Sequence, residues 1–195
     1  MLKMPIGKVL SKNELVAGYS RMIEDRFNAG WSCDLLTVLF KRLNGFQSTP
    51  ADQMKDQVQK LYRTFVTRVN RKPKKSPTEN LPLLIGALDL PVYKKDRTTA
   101  PPVLLNDGLH FHGLIMVPPH SRLQESVVEH FAVHDDLYAG DTTGIDRIDV
   151  RSITHSRKYV LDYVFKTIGN HRLTYDDAIV VLPRSRTELP DHSIS

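Results

Sequence analysis

The chain of 195 residues contains one cysteine, one tryptophan and no long run of apolar residues. Cys33 therefore cannot form an internal disulfide, and a transmembrane helix, which needs roughly 18 consecutive apolar residues, is not expected. Residues 1–10 contain lysines and a proline but no apolar stretch of the length found in secretion signals. These absences indicate a cytoplasmic protein with no membrane partner.

Repeats, low-complexity tracts and long Gly/Ser linkers are also missing from the sequence. With 41% hydrophobic and 25% charged residues, the composition is that of an ordinary globular protein with one sizeable core. The sequence thus predicts a single domain over residues 1–170, of which 1–30 form an N-terminal helical extension. Residues 171–195 are expected to form a polar, partly loose C-terminal extension with one short element at 178–182.

The net charge of +5 is unevenly distributed along the chain. Residues 1–80 carry 15 Lys and Arg against 7 Asp and Glu, whereas residues 81–195 carry 12 against 15. Clustered basic side chains bind polyanions with a gain from counterion release, so this excess indicates a polyanion-binding surface. The competing interpretation is a solvated helix face that runs into a lysine-rich loop. The residues concerned are Lys60, Arg63, Arg68, Arg71, Lys72, Lys74 and Lys75.

Hydrophobic periodicity and helix-capping signals predict an alternation of strands and helices. The predicted strands are 34–40, 83–89, 108–117 and 145–153, and the predicted helices are 11–28, 120–133, 156–168 and one that begins at Thr49-Pro50 and ends at Pro73. A polar loop at 91–107 connects the second and third strands. The order β-α-β-β-α-β, with an extra helix at each end, matches the ferredoxin-like split βαβ arrangement, an α+β fold with an antiparallel sheet.

His110 and His112 lie in the third predicted strand, on either side of Phe111. Side chains of a strand alternate between its faces, so both imidazoles emerge on one face, about 7 Å apart along the chain. Phe111, Ile115 and Val117 then face the core. Two neutral imidazoles suit a divalent metal if a third ligand joins them from a neighbouring strand. The alternative is a His-x-His pair that binds no metal.

The last predicted helix brings Tyr159, Asp162, Tyr163 and Lys166 within one arc of roughly 100°. Its opposite side is apolar, so the tyrosines are not needed to fill the core. A tyrosine with a pKa of about 10 is a weak nucleophile at neutral pH unless a metal-polarised phosphate or a nearby cation assists it. Lys166, one turn from Tyr163, is such a cation. The alternative is two partly exposed tyrosines beside an Asp162–Lys166 ion pair.

Three segments, in this chain order, resemble the motifs of the HUH endonucleases. Leu35-Leu36-Thr37-Val38-Leu39-Phe40 is similar to their first motif, His110-Phe111-His112 to the His-hydrophobic-His motif, and Tyr163-Val164-Phe165-Lys166 to the Tyr-x-x-Lys motif of rolling-circle replication initiators. The resemblance covers about residues 34–169. Relaxases place the tyrosine before the histidines, so the order here favours the replication initiators.

Tyr159 together with Tyr163 further resembles the two-tyrosine initiators of small phages, some plasmids and transposases. Asp162 stands where that pattern usually carries a first lysine. The resemblance implies that Tyr163 is the nucleophile and that Lys166 offsets the developing charge. Tyr159 is then either a second nucleophile or a neighbour.

The resemblance also implies a metal-dependent enzyme that nicks single-stranded DNA and transfers the strand through a 5′-phosphotyrosine intermediate, as in rolling-circle replication. His110 and His112 would bind Mg²⁺ or Mn²⁺ with a carboxylate near the end of the adjacent strand. Asp89 is the candidate for this ligand, ahead of Asp107 and Glu79. The implied substrate is a DNA origin or the end of a mobile element, including one folded as a hairpin.

No G-x-x-x-x-G-K-[ST] motif occurs in the chain, so a host helicase and polymerase would act in trans. A non-catalytic nucleic-acid-binding module on the same scaffold remains the main alternative function. A barrel metalloenzyme is disfavoured by the helices predicted at 50–70 and 120–133, and a two-histidine phosphoesterase by the lack of a second His-x-Ser/Thr motif. The other histidines are predicted to lie at the surface: His120, His130, His134, His155 and His171.

Overall fold

The computed structural model describes residues 12–43, 49–89, 105–153, 179–186 and 189–190. Its helices are α1 (Lys12–Asn28), α2 (Pro50–Val69), α3 (Val127–Val133) and α4 (Asp136–Ala139). Its strands are β1 (Ser32–Phe40), β2 (Leu83–Asp89), β3 (His110–Val117), β4 (Ile145–Ser152) and β5 (Ile179–Leu182). The helix predicted at 156–168, with Tyr159, Tyr163 and Lys166, lies outside the described residues, as does most of the predicted loop at 91–107.

The five strands form one antiparallel sheet in the order β4-β1-β3-β2-β5. Since β1 and β2 are both antiparallel to β3, they run parallel to each other with β3 inserted between them. In the same way β1 separates β3 from β4. The predicted α+β class and antiparallel sheet are confirmed, and this strand order is compatible with the split βαβ arrangement. The short element predicted at 178–182 is β5, which pairs with β2 at the sheet edge.

The helix α2 covers one face of the sheet. It begins after Thr49, whose hydroxyl accepts a hydrogen bond from the backbone N–H of Asp52 at 3.1 Å, and Pro50 occupies the first turn. An apolar stripe along this helix is buried against strand residues that include Phe111 and Ile115, as expected for that face of β3. The stripe consists of Met54, Val58, Leu61, Tyr62, Phe65 and Val69.

The helix α1 covers part of the opposite face. Its buried Ile23 belongs to a second apolar cluster with Leu114 and Met116 of β3. Because side chains alternate along a strand, His110 and His112 emerge on this same face, beyond the part that α1 covers. None of the helices within the described residues has both the length and the apolar character that crossing a bilayer requires.

The helix predicted at 120–133 begins only at Val127, so its predicted start is wrong. Ser126 caps the helix: its hydroxyl accepts from the backbone N–H of Glu129, and the Glu129 carboxylate accepts from the backbone N–H of Ser126. The preceding segment instead joins α2, since the backbone N–H of Arg122 donates to the carbonyl of Val69 at 2.9 Å. The short helix α4, which follows α3, was not predicted.

Candidate metal centre

Two pairs of facing residues bring the predicted metal ligands to one place on the sheet. Asp89, the last residue of β2, lies opposite His110, the first residue of β3. Thr37 of β1 lies opposite His112 of β3. Facing residues of antiparallel strands point to the same side of a sheet, so these four side chains share the face that α1 covers only in part.

Asp89, His110 and His112 form a compact group of three ligands. The Nε2 atoms of the two histidines are 2.8 Å apart, and one ligand atom from each of the three residues lies within 4.8 Å of the others. This distance allows all three to reach a single divalent ion after small side-chain rotations. The structure therefore brings together the carboxylate and the two imidazoles that the sequence analysis selected.

The two other carboxylates considered in the sequence analysis are placed differently. Glu79 is exposed in the 3-10 turn Thr78–Asn80, ahead of β2, and is not part of the group. Asp107 belongs to the 3-10 turn Leu105–Gly108 that leads into β3, where only its backbone is described. Asp89 is the carboxylate that the described structure supports.

Hydrogen bonds orient both imidazoles towards each other. The Nδ1 atom of His110 is 2.8 Å from the carbonyl oxygen of Gly108, which can only accept, so Nδ1 carries the hydrogen and the neutral ring has its lone pair on Nε2. The Nδ1 atom of His112 is 2.9 Å from Thr37 Oγ1. As observed, the 2.8 Å contact between the two Nε2 atoms is a hydrogen bond that His112 Nε2–H donates to His110, so His112 Nδ1 accepts from the Thr37 hydroxyl. With an ion between the rings, His112 Nδ1–H would instead donate to Thr37 Oγ1 and the Nε2 lone pair would face the ion.

The turn before β3 is fixed to the end of β1 by Asn106. Its side-chain amide donates to the carbonyls of Lys41 and Phe40 at 2.9 and 3.3 Å, and its Oδ1 accepts from the backbone N–H of Leu43 at 3.0 Å. Asn106 adopts φ 52° and Gly108 φ 76°, and asparagine and glycine tolerate this left-handed region best. The turn thereby holds the Gly108 carbonyl within hydrogen-bond distance of His110 Nδ1.

Two facing glycines, Gly86 on β2 and Gly113 on β3, lie on the opposite face of the sheet from the histidines. A Cβ atom at Gly113 would be 2.7 Å from Cε1 of Phe111, and one at Gly86 would meet the same ring and the backbone carbonyl of His112. The glycines therefore allow the Phe111 ring to lie over both strands. The ring packs there in the same β2–β3 register that places Asp89 opposite His110.

His112 is neutral at physiological pH. Burial lowers the pKa of its imidazole from 6.5 to about 4, with the neighbouring His110 acting in the same direction and Asp89 opposing both. A neutral imidazole is the form that coordinates metal ions. Two imidazole nitrogens and one carboxylate form a donor set that fits Mn²⁺ better than Mg²⁺, which prefers oxygen ligands.

A cleft of about 360 Å³ opens beside the two histidines. Its far wall is β4, where Arg147, Asp149 and Arg151 alternate on the histidine face, and Arg151 Nε donates to the Asp149 carboxylate at 2.7 Å. The cleft can thus hold an anion between the metal group and two guanidinium groups. It is lined by Thr37, Leu39, His110, His112, Arg147, Ile148, Asp149 and Arg151.

Sequence reasoning missed four of these lining residues as functional candidates: Thr37, Arg147, Asp149 and Arg151. The period of two in Arg147-x-Asp149-x-Arg151 was a usable signal, because it puts three charged side chains on one face of a predicted strand. The contact of Thr37 with His112 could not be read in this way, because it depends on the register of β1 against β3.

The predicted polyanion-binding residues lie elsewhere. Lys60 and Arg63 are exposed on α2, which covers the face opposite to the histidines, and the others lie at or beyond the C-terminal end of α2. Arg68 is half-buried, and its Nε has no hydrogen-bond partner among the described residues. This basic surface therefore does not line the metal cleft, and the two arginines of β4 are the cations closest to it in the described part of the cleft wall.

The prediction that the remaining histidines lie at the surface is wrong for His130, which is only 2% exposed. The cause is a tertiary contact, since α3 packs His130 against Phe65 of α2, with ring centroids 5.7 Å apart. His120 and His134 are exposed, as predicted. His155 and His171 lie outside the described residues.

Comparison of the chain with protein-family models, with curated proteins and with solved structures gave no match. The assignment of a function therefore depends on the geometry and chemistry of the centre itself.

Proposed function

We propose that the protein is a metal-dependent single-stranded DNA nicking and strand-transfer enzyme of the HUH replication-initiator type, with Asp89, His110 and His112 as the metal ligands. The observation that carries this proposal is the convergence of these three side chains on the face opposite α2 of an antiparallel sheet with the central strand order β4-β1-β3-β2. The cleft beside them has room for a phosphate group and two arginines that favour an anion.

A bound divalent ion would withdraw charge from the phosphoryl oxygens of the scissile linkage. The Tyr163 hydroxyl loses its proton and attacks the phosphorus, the bond from phosphorus to the 3′ oxygen breaks, and that oxygen leaves with a proton as a 3′-hydroxyl. The product is a 5′-phosphotyrosine ester, which keeps the bond energy for rejoining. Lys166 is expected to offset charge on the phosphoryl group, and Tyr159 to serve as the second nucleophile or as its neighbour.

The two described strands that flank residues 154–178 in the sequence, β4 and β5, are the edge strands of the sheet. Ile179, the first residue of β5, lies opposite Ala87, which in turn lies opposite His112. Ile179 is therefore two strand spacings, about 10 Å, from a proposed metal ligand.

The proposed substrate is single-stranded DNA at an origin or the end of an element, including a hairpin, with helicase and polymerase supplied in trans. The test uses the purified chain, Mn²⁺ and a pool of labelled single strands of randomised sequence, analysed on a denaturing gel. The expected result is an adduct that survives denaturation and is absent from Tyr163→Phe. Tyr159→Phe should reduce strand transfer if Tyr159 is a second nucleophile, and should leave it unchanged if Tyr159 is only a neighbour of Tyr163.

The histidine variants identify the metal's role in the same assay. His110→Ala combined with His112→Ala should abolish adduct formation while leaving most of the DNA affinity. Salt-sensitive DNA binding with no adduct at any Mn²⁺ concentration would refute the enzyme and favour the non-catalytic binding module. An adduct at the wild-type level with Tyr163→Phe would refute the nucleophile.

A further inference from the structure

A second group of potential ligands lies around α3, on elements that form no part of the centre described above. It consists of Glu125, His130 and His134, whose ligand atoms all lie within 4.8 Å of one another. His130 lies in α3 and His134, four residues later, is its C-terminal cap, so both imidazoles lie on one side at the end of the helix. Glu125, which precedes the helix cap, returns its carboxylate to the same place: Glu125 Oε1 is 2.6 Å from His130 Nδ1 and 4.0 Å from His134 Nε2.

His130 is held rigidly in this group. It is 2% exposed, and its ring makes edge contacts with Phe65, Phe131 and Tyr138 at centroid distances of 5.7 to 5.9 Å. Its Nε2 atom is 2.8 Å from the hydroxyl of the buried Tyr138. The phenol fixes the ring so that Nδ1 faces Glu125 and the solvent-accessible side of the cluster.

This arrangement has the features of a metal ligand supported by a second layer of hydrogen bonds. A histidine that coordinates a metal through one nitrogen usually donates from the other to a neighbouring acceptor, which sets its tautomer and orientation. As observed, His130 Nδ1–H donates to the Glu125 carboxylate and Nε2 accepts from the Tyr138 hydroxyl. With an ion on Nδ1, the proton would move to Nε2 and the Tyr138 oxygen would become its acceptor. The other two side chains reach solvent, Glu125 at 35% and His134 at 45% exposure, so an ion can enter from outside.

We propose that Glu125, His130 and His134 bind a zinc ion that joins the segment before α3 to the end of that helix. Two imidazoles and a carboxylate form a common zinc donor set, with a fourth position left for water. Ligands of tetrahedral zinc lie about 3.3 Å apart, so the observed 2.6 and 4.0 Å separations require shifts of less than an ångström.

The charges around the group also affect whether it can bind a cation. Arg68 is close enough to act on the pKa of both His130 and Tyr138, and its positive charge opposes a bound cation. The Glu125 carboxylate is the compensating anion, so its charge as well as its oxygen is required. Glu125→Gln keeps an oxygen at this position but removes the charge, so it tests whether the charge is needed for zinc binding.

The experiment measures zinc binding by calorimetry and by the shift in melting temperature, in the full chain carrying His110→Ala and His112→Ala so that the first centre cannot bind. This parent is expected to bind one equivalent of Zn²⁺ and to melt at a higher temperature when zinc is added. Adding His134→Ala should weaken zinc binding by at least roughly 100-fold and remove the melting shift. Adding His120→Ala, an exposed histidine outside the group, should change neither.

Glu125→Gln in the same parent provides the second variant, since it preserves an oxygen near His130 and should leave the fold intact. It is expected to weaken zinc binding by at least roughly tenfold. A parent that binds no zinc, or one whose zinc affinity is the same with His134→Ala and Glu125→Gln, would overturn the proposal and leave the group as a hydrogen-bonded core cluster. Failure of the zinc proposal would leave the DNA-nicking proposal unaffected, because the two proposals are tested with variants of different residues.

Discussion

Thr37 of β1 and His112 of β3 face each other across two paired strands, and Thr37 Oγ1 is 2.9 Å from His112 Nδ1. A threonine hydroxyl can either accept from Nδ1–H or donate to an unprotonated Nδ1. Only the first arrangement leaves Nε2 of His112 with a lone pair for a metal. The hydroxyl thus allows His112 to take the tautomer that matches His110, whose Nδ1–H is committed to the Gly108 carbonyl.

The first prediction concerns this hydroxyl. Thr37→Val keeps the shape and β-propensity of the side chain but leaves His112 Nδ1 without its partner. We expect Mn²⁺ affinity to fall by roughly 10- to 100-fold, the usual effect of losing a partner of a metal-bound histidine. Calorimetric Mn²⁺ titration measures it, and Thr37→Ser, which restores the hydroxyl, should recover most of the affinity. Equal affinities for the valine and serine variants would contradict the role of the hydroxyl.

The second prediction separates Asp89 from the other nearby carboxylates. Asp89→Asn removes the negative charge opposite His110 and should weaken Mn²⁺ binding by at least roughly tenfold. Glu79→Gln, on an exposed turn ahead of β2, should have no effect. Asp149→Asn is a second comparison, because that carboxylate already accepts a hydrogen bond from Arg151. A larger loss of Mn²⁺ affinity with Asp149→Asn than with Asp89→Asn would indicate that Asp149 of β4 is the third ligand.

His110 and His112 could be selected from local order, because the alternation of a strand puts both on one face. Asp89 was selected through the resemblance to the HUH endonucleases, as a carboxylate at the end of the adjacent strand. The strand order and the Thr37 contact depend on long-range pairing, which a single sequence does not encode in any local pattern.

The error at α3 has a local origin. Leu123, Val127 and Phe131 fit a helical period from residue 120 onwards, and that pattern concealed the S-x-x-E signal of Ser126 and Glu129 six residues later. His130 and His134 are four residues apart wherever the helix starts, with His134 at the C-terminal cap of α3. The burial of His130 against Phe65 of α2 is a tertiary contact and could not have been predicted from this segment alone.

The third prediction tests the packing beneath the metal centre. Gly86→Ala places a methyl group against the Phe111 ring and the backbone carbonyl of His112, neither of which can move freely. We expect a loss of roughly 1–3 kcal/mol in the free energy of unfolding. Gly18→Ala is the matched control: this helical glycine has nothing within 4 Å of its added Cβ, so the substitution should stabilise by about 0.5–1 kcal/mol. Urea denaturation of both variants measures the difference, and a neutral Gly86→Ala would refute the close approach.

The fourth prediction uses the depressed pKa of His112. The unfolded chain protonates this histidine near pH 6.5, whereas the folded chain does so only near pH 4. Between these values the unfolded state binds more protons, so the stability that His112 contributes is present at neutral pH and lost as the pH falls. The total loss is expected to be roughly 3 kcal/mol in the presence of a chelator.

Denaturation of the wild type and of His112→Gln at several pH values between 7 and 4 measures this contribution together with the interaction of His112 with His110 and Asp89. The wild type should lose more stability than the variant over this interval. Parallel curves would show that His112 titrates alike in the folded and unfolded chains.

The fifth prediction asks which basic surface binds DNA. Arg147 and Arg151 border the metal cleft, whereas Lys74 and Lys75 lie beyond the end of α2, on the other layer of the fold. A single strand of roughly ten nucleotides bound at the cleft should therefore lose affinity with Arg147→Gln and Arg151→Gln and keep it with Lys74→Gln and Lys75→Gln. Each lost phosphate contact should also lower the slope of log affinity against log salt concentration by about 0.7.

Fluorescence anisotropy over a range of salt concentrations distinguishes the two surfaces. Longer strands that leave the cleft can also reach the lysines, so the lysine variants are expected to weaken binding only as strand length increases. If the lysine variants alone weaken binding of the short strand, the DNA lies against the α2 layer. The phosphate would then be separated from Asp89, His110 and His112 by the thickness of the sheet, and the metal centre could not act on it.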